Sequence, residues 1–339
     1  MTSALARLRD GDREGFDILI EHHRREIQVH CYRMLGSLHD AEDATQDTLL
    51  RAWRARDGFD GRASLRTWLY RIATNTCLRA IERRALRGRL LPTAVHPRAS
   101  FRPLGAADHE TPWLEPYPDA ALPEPPDDAP GPDARYEAHE SIRLAFIAAI
   151  QELPPRQRAI LLLRDVVGLT AEETAASIAT SVAAANSALQ RARATLHRRF
   201  PDGPPTGSGE LDPAGRDLLE RYVQTWEAGD VEGFVRLLAP DAVWSMPPWP
   251  EWFVGRADIG AFLGWVWVNR RGRAERLVVT AANGAPAFGY YRSSADGATW
   301  QPFAVQVVEL GSGGIVSITN FVDETLFSSF ELPPTPRGS

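Results

Sequence analysis

Two aromatic side chains, Trp68 and Tyr70, stand within the same two helical turns as Arg66 and Arg71. Aromatic rings stack on unpaired bases while guanidinium groups hold phosphates, so this mixture favours binding of single-stranded nucleic acid. Core aromatics beside a solvated basic flank would give the same pattern and are the alternative. No His–Asp pair and no metal-ligand spacing indicates catalysis, a metal site or a cofactor.

The net charge of −6 hides a strong segregation of charge along the chain. From Arg62 to Arg102 there are ten arginines and one acid, whereas Pro103 to Ala134 holds eight acids and no base. A basic block inside an acidic chain indicates a localised site for a polyanion. The two cysteines, Cys31 and Cys77, are predicted to be reduced thiols.

The segment from Asp40 to Arg54 is predicted to be a helix that Asp40 caps. One face is small and apolar, which indicates core. The opposite face, on which a leucine stands among charged and polar residues, carries Asp43, Gln46, Asp47, Leu50 and Arg54. This face is predicted to dock another protein, with a simple solvated face as the alternative.

A second helix is predicted to begin near Ser64, with Thr74, Asn75 and Leu78 on the side away from its buried stripe. Farther on, Thr170 and Glu173 form a capping box that opens a helix, and a short turn leads to another helix with four arginines in residues 190–199. This is a helix-turn-helix pattern whose second helix fits a major groove.

The sequences YRMLGSLHDAEDATQDTLLRAWR and GRASLRTWLYRIATNTCLRAIERR resemble domain 2 of the extracytoplasmic-function (ECF) sigma factors of the sigma-70 family. The resemblance implies that the face bearing Leu50 docks on the β′ clamp helices of RNA polymerase core. It also implies that the loop at residues 59–64 and the next helix hold the melted −10 element. The residues implied at −10 are Arg66, Trp68, Tyr70, Arg71, Asn75, Arg79 and Arg83.

The segment ELPPRQRAILLLRDVVGLTAEETAASIATSVAAANSALQRARATL resembles domain 4 of the same family, which reads the −35 element and contacts the β flap. The residues implied at −35 are Arg164, Asn186, Ser187, Gln190, Arg191 and Arg193. Many relatives carry basic residues near Asn186 and Ala188, and their absence here implies a different −35 preference.

The segment that joins the two helical blocks holds eleven prolines between Pro92 and Pro132. Proline stiffness and like charge predict an extended linker. Either it is a solvated tether, or its acids, including Glu124, Asp127 and Asp128, occupy the basic channels of the polymerase as a mimic of RNA. The fragment PWLEPYPDA resembles a linker motif of extended ECF factors that helps to dock the C-terminal domain.

After a break at residues 201–213, two or three helices precede a run of strands, which predicts an α+β domain. The pattern resembles the SnoaL-like members of the nuclear-transport-factor-2-like fold. Seven of the ten tryptophans lie between Trp226 and Trp300, and with Phe262, Tyr290, Phe303 and Phe321 they are predicted to line an apolar pocket. Asp323 is the candidate acid/base group if this domain is an enzyme. Four arginines, Arg270, Arg271, Arg273 and Arg276, are interpreted as a solvated or interface patch.

We therefore expect a multidomain chain: sigma domain 2 (1–90), an acidic Pro-rich linker (91–134), all-α sigma domain 4 with its helix-turn-helix (135–200) and an α+β SnoaL-like cone (211–332). The expected function is that of a cytoplasmic, non-enzymatic sigma factor that binds polymerase core and promoter DNA, without membrane association. An anti-sigma protein and a small-molecule ligand of the last domain are candidate further partners. Two rival hypotheses are a helix-turn-helix regulator that acts without polymerase docking, and a SnoaL-like isomerase or cyclase fused to a DNA-binding region.

Overall fold

The computed structural model describes residues 13–84, 88–101, 103–123, 141–200, 211–270 and 272–336. These residues fall into two compact units. The first contains both helical blocks; the second contains residues 90–120, which we call the strap, together with the C-terminal domain. None of the helices in these ranges is long and apolar enough to cross a membrane.

Three long helices form the first helical block: α1 (Arg13–Leu35), α2 (Leu38–Ala55) and α3 (Leu65–Arg84). The predicted cap of α2 is wrong by one turn. Ser37 is the N-cap, and its hydroxyl accepts a hydrogen bond from the backbone N–H of Asp40 at 3.1 Å. Asp40 is therefore left to bind Arg84 and Arg89, and the Arg89 contact measures 2.6 Å.

Burial alone would raise the pKa of Asp40, but the hydrogen bonds from Arg84 and Arg89 outweigh burial and hold it below its ordinary value. Because the folded-state pKa is depressed, this stabilisation is present above the unfolded pKa and is lost as the pH falls through the folded pKa. Asp40→Asn is expected to cost about 1–2 kcal/mol at neutral pH, since Arg84 is half exposed and partly screened. Urea unfolding across the acidic range measures this, with Asp60→Asn in an exposed ion pair as control. Equal pH dependence in wild type and Asp40→Asn would contradict it.

The second helical block consists of α5 (Leu144–Gln151), α6 (Pro155–Leu161), α7 (Ala171–Ser177) and α8 (Val182–Arg199). A π-type turn at Leu162–Val166 continues α6. Both predicted helices of the helix-turn-helix are thus present as α7 and α8, and α6 and α7 pack against α3 of the first block.

The C-terminal domain packs three helices on a six-stranded sheet. The helices are α9 (Pro213–Ala228), α10 (Val231–Leu237) and α11 (Arg256–Val268). The strands are β1 (Leu238–Ser245), β2 (Trp252–Val254), β3 (Glu275–Ala282), β4 (Ala285–Ser293), β5 (Trp300–Gly311) and β6 (Gly314–Phe321). Their order is β2-β1-β6-β5-β4-β3, with only β1 and β6 parallel among these pairs. A short helix, α12 (Leu326–Ser329), follows the sheet.

The strap lies along the C-terminal domain and holds one short helix, α4 (Pro92–Val95). Backbone groups of the strap bond the other part of the unit: Ala99 N–H donates to Trp252 O at 3.0 Å, and Asp108 N–H to Pro248 O at 2.8 Å. Near its end, Tyr117 N–H donates to the Asn283 side chain at 2.8 Å. The hypothesis of a solvated tether is therefore wrong for residues 90–120, whereas Glu124, Asp127 and Asp128 lie outside the described residues.

Candidate functional site

The outer face of α2 is exposed and mixed in chemistry. Leu50 is 56% exposed, and Asp43, Gln46 and Arg54 are exposed around it. Asp47 is half-buried and accepts a hydrogen bond from Arg51 at 2.9 Å. The other face is fully packed, with Ala41, Ala44, Thr45, Thr48 and Ala52 buried. An apolar side chain held in solvent by a rigid helix is suited to burial against a protein partner.

The aromatic and arginine side chains at the start of α3 are engaged inside the first unit. Tyr70 is buried, which raises the pKa of its phenol, and its hydroxyl donates to Glu26 at 3.2 Å. Arg66 Nε donates to Glu26 at 2.8 Å and its Nη1 to Val167 O at 3.1 Å. Trp68 packs on Phe59 with ring centroids 5.1 Å apart. These contacts hold three predicted −10 residues against the protein.

The predicted −10 residues in the later turns of α3 are either exposed to solvent or bonded to the second helical block. Arg71, Arg79 and Arg83 are exposed. The Asn75 side-chain amide donates to Ser177 O, at the end of α7, at 2.8 Å. The side-chain NH2 group of Asn75 also donates to Arg71 O at 2.7 Å, so it is engaged by α7 and by its own helix.

Two residues predicted on the outer side of α3, Thr74 and Leu78, are buried instead. The Thr74 hydroxyl lies 2.9 Å from Nε2 of His30 on α1. Burial lowers the pKa of His30 to about 3, so the imidazole is neutral at physiological pH. The stripe prediction failed because α3 is enclosed by α1 and α2 together with α6 and α7.

The second helix of the helix-turn-helix, α8, presents a continuous polar row to solvent. Its exposed members are Asn186, Ser187, Gln190 and Arg191, opposite the buried Ala185, Leu189 and Ala192. Thr170 and Glu173 form the predicted capping box of α7, and Ser181 caps α8 through the N–H of Ala184. The caps fix both helix starts and hence the direction of the polar row.

Two residues predicted at −35, Arg193 in α8 and Arg164 in the π-type turn, differ in their surroundings. Arg193 is exposed and binds Asp165 through Nε at 2.9 Å and Nη2 at 2.6 Å, which raises the pKa of its guanidinium. Arg164 is half-buried and donates to Leu169 O in the turn before α7. Because Arg193 is exposed, a phosphate can replace the Asp165 carboxylate as its partner. Arg164 instead stabilises the turn before α7.

A cavity of about 470 Å³ opens in the C-terminal domain. Several predicted aromatics line it, including Trp226, Trp244 and Tyr290, and the volume suits a small molecule. Trp267 packs in the core instead, and Trp252 donates to His96 O of the strap at 2.8 Å.

The positions of Asp323 and of the arginines at 270–276 differ in part from those predicted. Asp323 is exposed, caps a turn through Thr325 and does not line the cavity, so its acid/base role is wrong. Arg273 and Arg276 are exposed, as the interpretation of a solvated or interface patch requires, and Arg276 binds Glu227 at 2.9 Å. Arg270 is half-buried and lines the cavity with Arg273, so a solvated position is wrong for Arg270, and Arg271 lies outside the described residues.

Sequence patterning missed Glu275, the buried carboxylate at the cavity. It accepts hydrogen bonds from the Tyr290 hydroxyl at 2.5 Å and from the Trp267 indole at 3.3 Å. Its position at the first residue of β3, with three arginines shortly before it and Arg276 directly after it, was the available signal.

Comparison with protein families assigns three segments. Residues 19–87 match Sigma-70 region 2, residues 143–196 match Sigma-70 region 4, and residues 219–318 match the SnoaL-like domain.

Two mycobacterial proteins illustrate the similarity over the full arrangement. The chain is 44% identical to the ECF RNA polymerase sigma factor SigG of Mycobacterium tuberculosis H37Rv, over 96% of this chain and 85% of that protein. It is 30% identical to SigJ of the same strain over 66% of this chain and 62% of that protein. The crystal structure of M. tuberculosis SigJ matches with a TM-score of 0.58 at 21% identity, covering 91% of this chain and 97% of that one, which shows a shared fold.

Proposed function

Because the chain belongs to the ECF family of RNA polymerase sigma factors and directs the polymerase to promoters, we propose residue roles for docking, −10 capture and −35 reading. The outer face of α2 docks on the β′ clamp helices, and the second helical block contacts the β flap. The observation that carries this proposal is the 56% exposure of Leu50 among charged and polar side chains on an otherwise packed helix. Burial of that side chain at a protein interface gains free energy that an isolated sigma chain leaves unrealised.

The promoter roles require α7 to leave α3. In the described packing, Asn75 bonds Ser177 O and Arg66 bonds Val167 O, so both side chains are satisfied by the second helical block. Melted bases at −10 and this packing compete for the same donors. We propose that the packed first unit is the polymerase-free form and that docking separates the two blocks.

The α8 row reads the −35 duplex. Asn186, Gln190 and Arg191 present amide and guanidinium groups to solvent at helical spacing, which suits base edges in the major groove. Arg193 leaves its ion pair with Asp165 and binds a DNA phosphate. Since a phosphate contact positions the protein while base contacts specify the sequence, Arg193 sets affinity more than promoter choice.

The C-terminal domain is a regulatory module without catalytic chemistry of its own, and the whole chain acts in the cytoplasm with the polymerase. Support comes from the strap, which bonds this domain and is covalently continuous with α3 through residues 85–89. Release or retention of the strap therefore changes how far the second helical block can reach. Turnover of a small molecule by the chain would favour the rival enzyme hypothesis.

Leu50→Asp is expected to weaken binding to core polymerase by roughly 10- to 30-fold, because a charge replaces the apolar centre of the docking face. The measurement is core-polymerase affinity with promoter-dependent transcript yield in vitro. Val279→Asp is the matched control, since Val279 is 75% exposed on β3, outside the two segments that match sigma-70 regions. Unchanged affinity for Leu50→Asp, or an equal loss for both variants, would refute docking through this face.

A further inference from the structure

The polar row of α8 is exposed in the packed first unit, unlike several of the predicted −10 residues. Arg66 and Asn75 are bonded to the second helical block. Asn186, Gln190 and Arg191 of α8 are exposed to solvent. Arginines on an exposed helix attract any DNA duplex through its phosphates, whatever its sequence. A chain that avoids non-cognate DNA before it meets the polymerase therefore needs another restraint on this helix.

The charge of α8 is moderated by one carboxylate from outside the helix. From residue 174 to residue 200 the sequence holds four arginines and no acid. The carboxylate of Asp165 accepts hydrogen bonds from Nε of Arg193 at 2.9 Å and from its Nη2 at 2.6 Å. Among the described residues, no other arginine of α8 forms an ion pair with a carboxylate. Asp165 therefore acts on one selected arginine of the DNA-reading helix.

The π-type turn at Leu162–Val166 sets the position of Asp165. Leu162 is buried, and its carbonyl accepts the backbone N–H of Val167 at 2.9 Å, which closes the turn. The turn continues α6, and α6 packs against α8. The carboxylate is therefore held by packed helical backbone beside a fixed point of α8. Turns of this type are frequent at functional sites, because they redirect a side chain without ending the helix.

The contact lies on the face of α8 that carries the polar row. Arg193 stands three residues after Gln190 and seven after Asn186, so the three side chains share one helix face. Asp165 takes the Nε–Nη2 edge of the guanidinium, a planar fork that also fits a phosphate. The side chains of Arg193 and Asp165 are 58% and 29% exposed, so a DNA phosphate can reach the pair. It gains this edge only by displacing the carboxylate, whose charge then lies close to the DNA and repels it.

We propose that Asp165 is an intramolecular competitor of DNA phosphate, which limits binding of the polymerase-free chain to non-cognate duplex. On a cognate −35 element, base contacts along α8 offset the free energy lost when Arg193 leaves Asp165. A scrambled duplex offers no such base contacts, so the ion pair persists and binding stays weak. Asp165 acts through Arg193 and is a positioning residue. This inference rests on the proposed −35 role of α8 and adds a restraint on that same site.

The test measures binding of the full chain, without polymerase, to a short fluorescein-labelled duplex of scrambled sequence by fluorescence anisotropy across a salt series. Asp165→Asn is expected to tighten binding at low salt by about 3- to 10-fold and to steepen the salt dependence by roughly one phosphate contact. Asp165→Ser, which also removes the charge, should act in the same direction. Asp217→Asn is the matched control, because Asp217 pairs with Arg221 at 3.0 Å on α9, outside the segment that matches region 4. It should leave the affinity within about twofold of the wild type.

A double-variant cycle separates release of Arg193 from simple loss of negative charge. In an Arg193→Gln background, Asp165→Asn is expected to change the affinity by less than about twofold, because the restrained group is gone. An equal gain in both backgrounds would overturn the proposal, since Asp165 would then act only as a diffuse charge. A weaker Arg193→Gln chain with no gain from Asp165→Asn would overturn it too, while leaving the −35 role of α8 intact. If Arg193→Gln also bound like the wild type, both the inference and the phosphate role of Arg193 would fail.

Discussion

Arg158→Met is expected to destabilise the first unit by about 3–5 kcal/mol, because it leaves a set of buried carbonyl groups without a donor. Arg158 is 1% exposed. Its guanidinium donates to Ile150 O at 2.9 Å, to Gln151 O at 2.8 Å and to the Gln151 side chain at 2.6 Å. It also reaches Met34 O in α1, so one side chain ties the first helical block to the second.

The measurement is urea unfolding followed by far-ultraviolet circular dichroism, read at the transition of the helical unit. Burial lowers the pKa of Arg158 to about 10, so the group is charged at neutral pH and the loss should be constant there. Arg156→Met is the matched control, since Arg156 is exposed in the same helix. A loss below about 1 kcal/mol for Arg158→Met would show that the carbonyls find other donors.

The double variant Gln190→Ala and Arg191→Ala is expected to lower transcription from the cognate promoter by about 30-fold or more, because two base contacts together contribute about 2–6 kcal/mol. Each good contact to a base edge contributes about 1–3 kcal/mol of discrimination, and both side chains stand exposed on α8. The measurement is in vitro transcription with core polymerase on templates that carry a matched or a scrambled −35 element. The loss should be confined to the matched template.

Two controls separate sequence reading from charge and from folding. Arg216→Ala removes one exposed arginine side chain from α9, outside the helix-turn-helix, and should leave the yield within about twofold. Circular dichroism should show an intact fold in the double variant, because neither residue is buried. An equal fall on matched and scrambled templates would mean that α8 supplies only non-specific affinity.

Sequence patterns that depend only on neighbouring residues predicted much of the fold. The capping box at Thr170 and Glu173 appears where the residues indicate, because it depends on neighbours within one turn. The N-cap of α2 was misassigned because Asp40 and Ser37 are both good caps. A partner 44 residues away, Arg84, decides between them.

Tertiary packing explains the other differences. Hydrophobic periodicity assumes one buried face, and α3 has more than one, so Thr74 and Leu78 were placed in solvent. The packing of the strap against the C-terminal domain was not predicted for the same reason. Its prolines remove regular structure, but Trp113, Leu114 and Tyr117 are buried, and Tyr117 bonds Asn283, which lies far along the sequence. Among the candidate site residues, those on α2 and α8 lie largely exposed because their surroundings are local, whereas Arg66 and Asn75 are bonded to the second helical block and Tyr70 is bonded to Glu26 of α1.

The buried side chains of the strap also bear on how shortened forms of this protein would behave. A chain that ended after residue 200 would lose Asn283, whose backbone and side chain both hydrogen-bond the backbone of Tyr117. It would also lose Trp252, whose indole donates to His96 O. Ala99, Phe101 and Leu104, which pack on the core of the C-terminal domain, would then be exposed to water and would form an apolar segment between the two DNA-reading halves. Such a fragment would differ from the intact protein by gaining a surface prone to self-association as well as by losing a domain. Its altered transcription would report both changes together unless those three side chains were made polar.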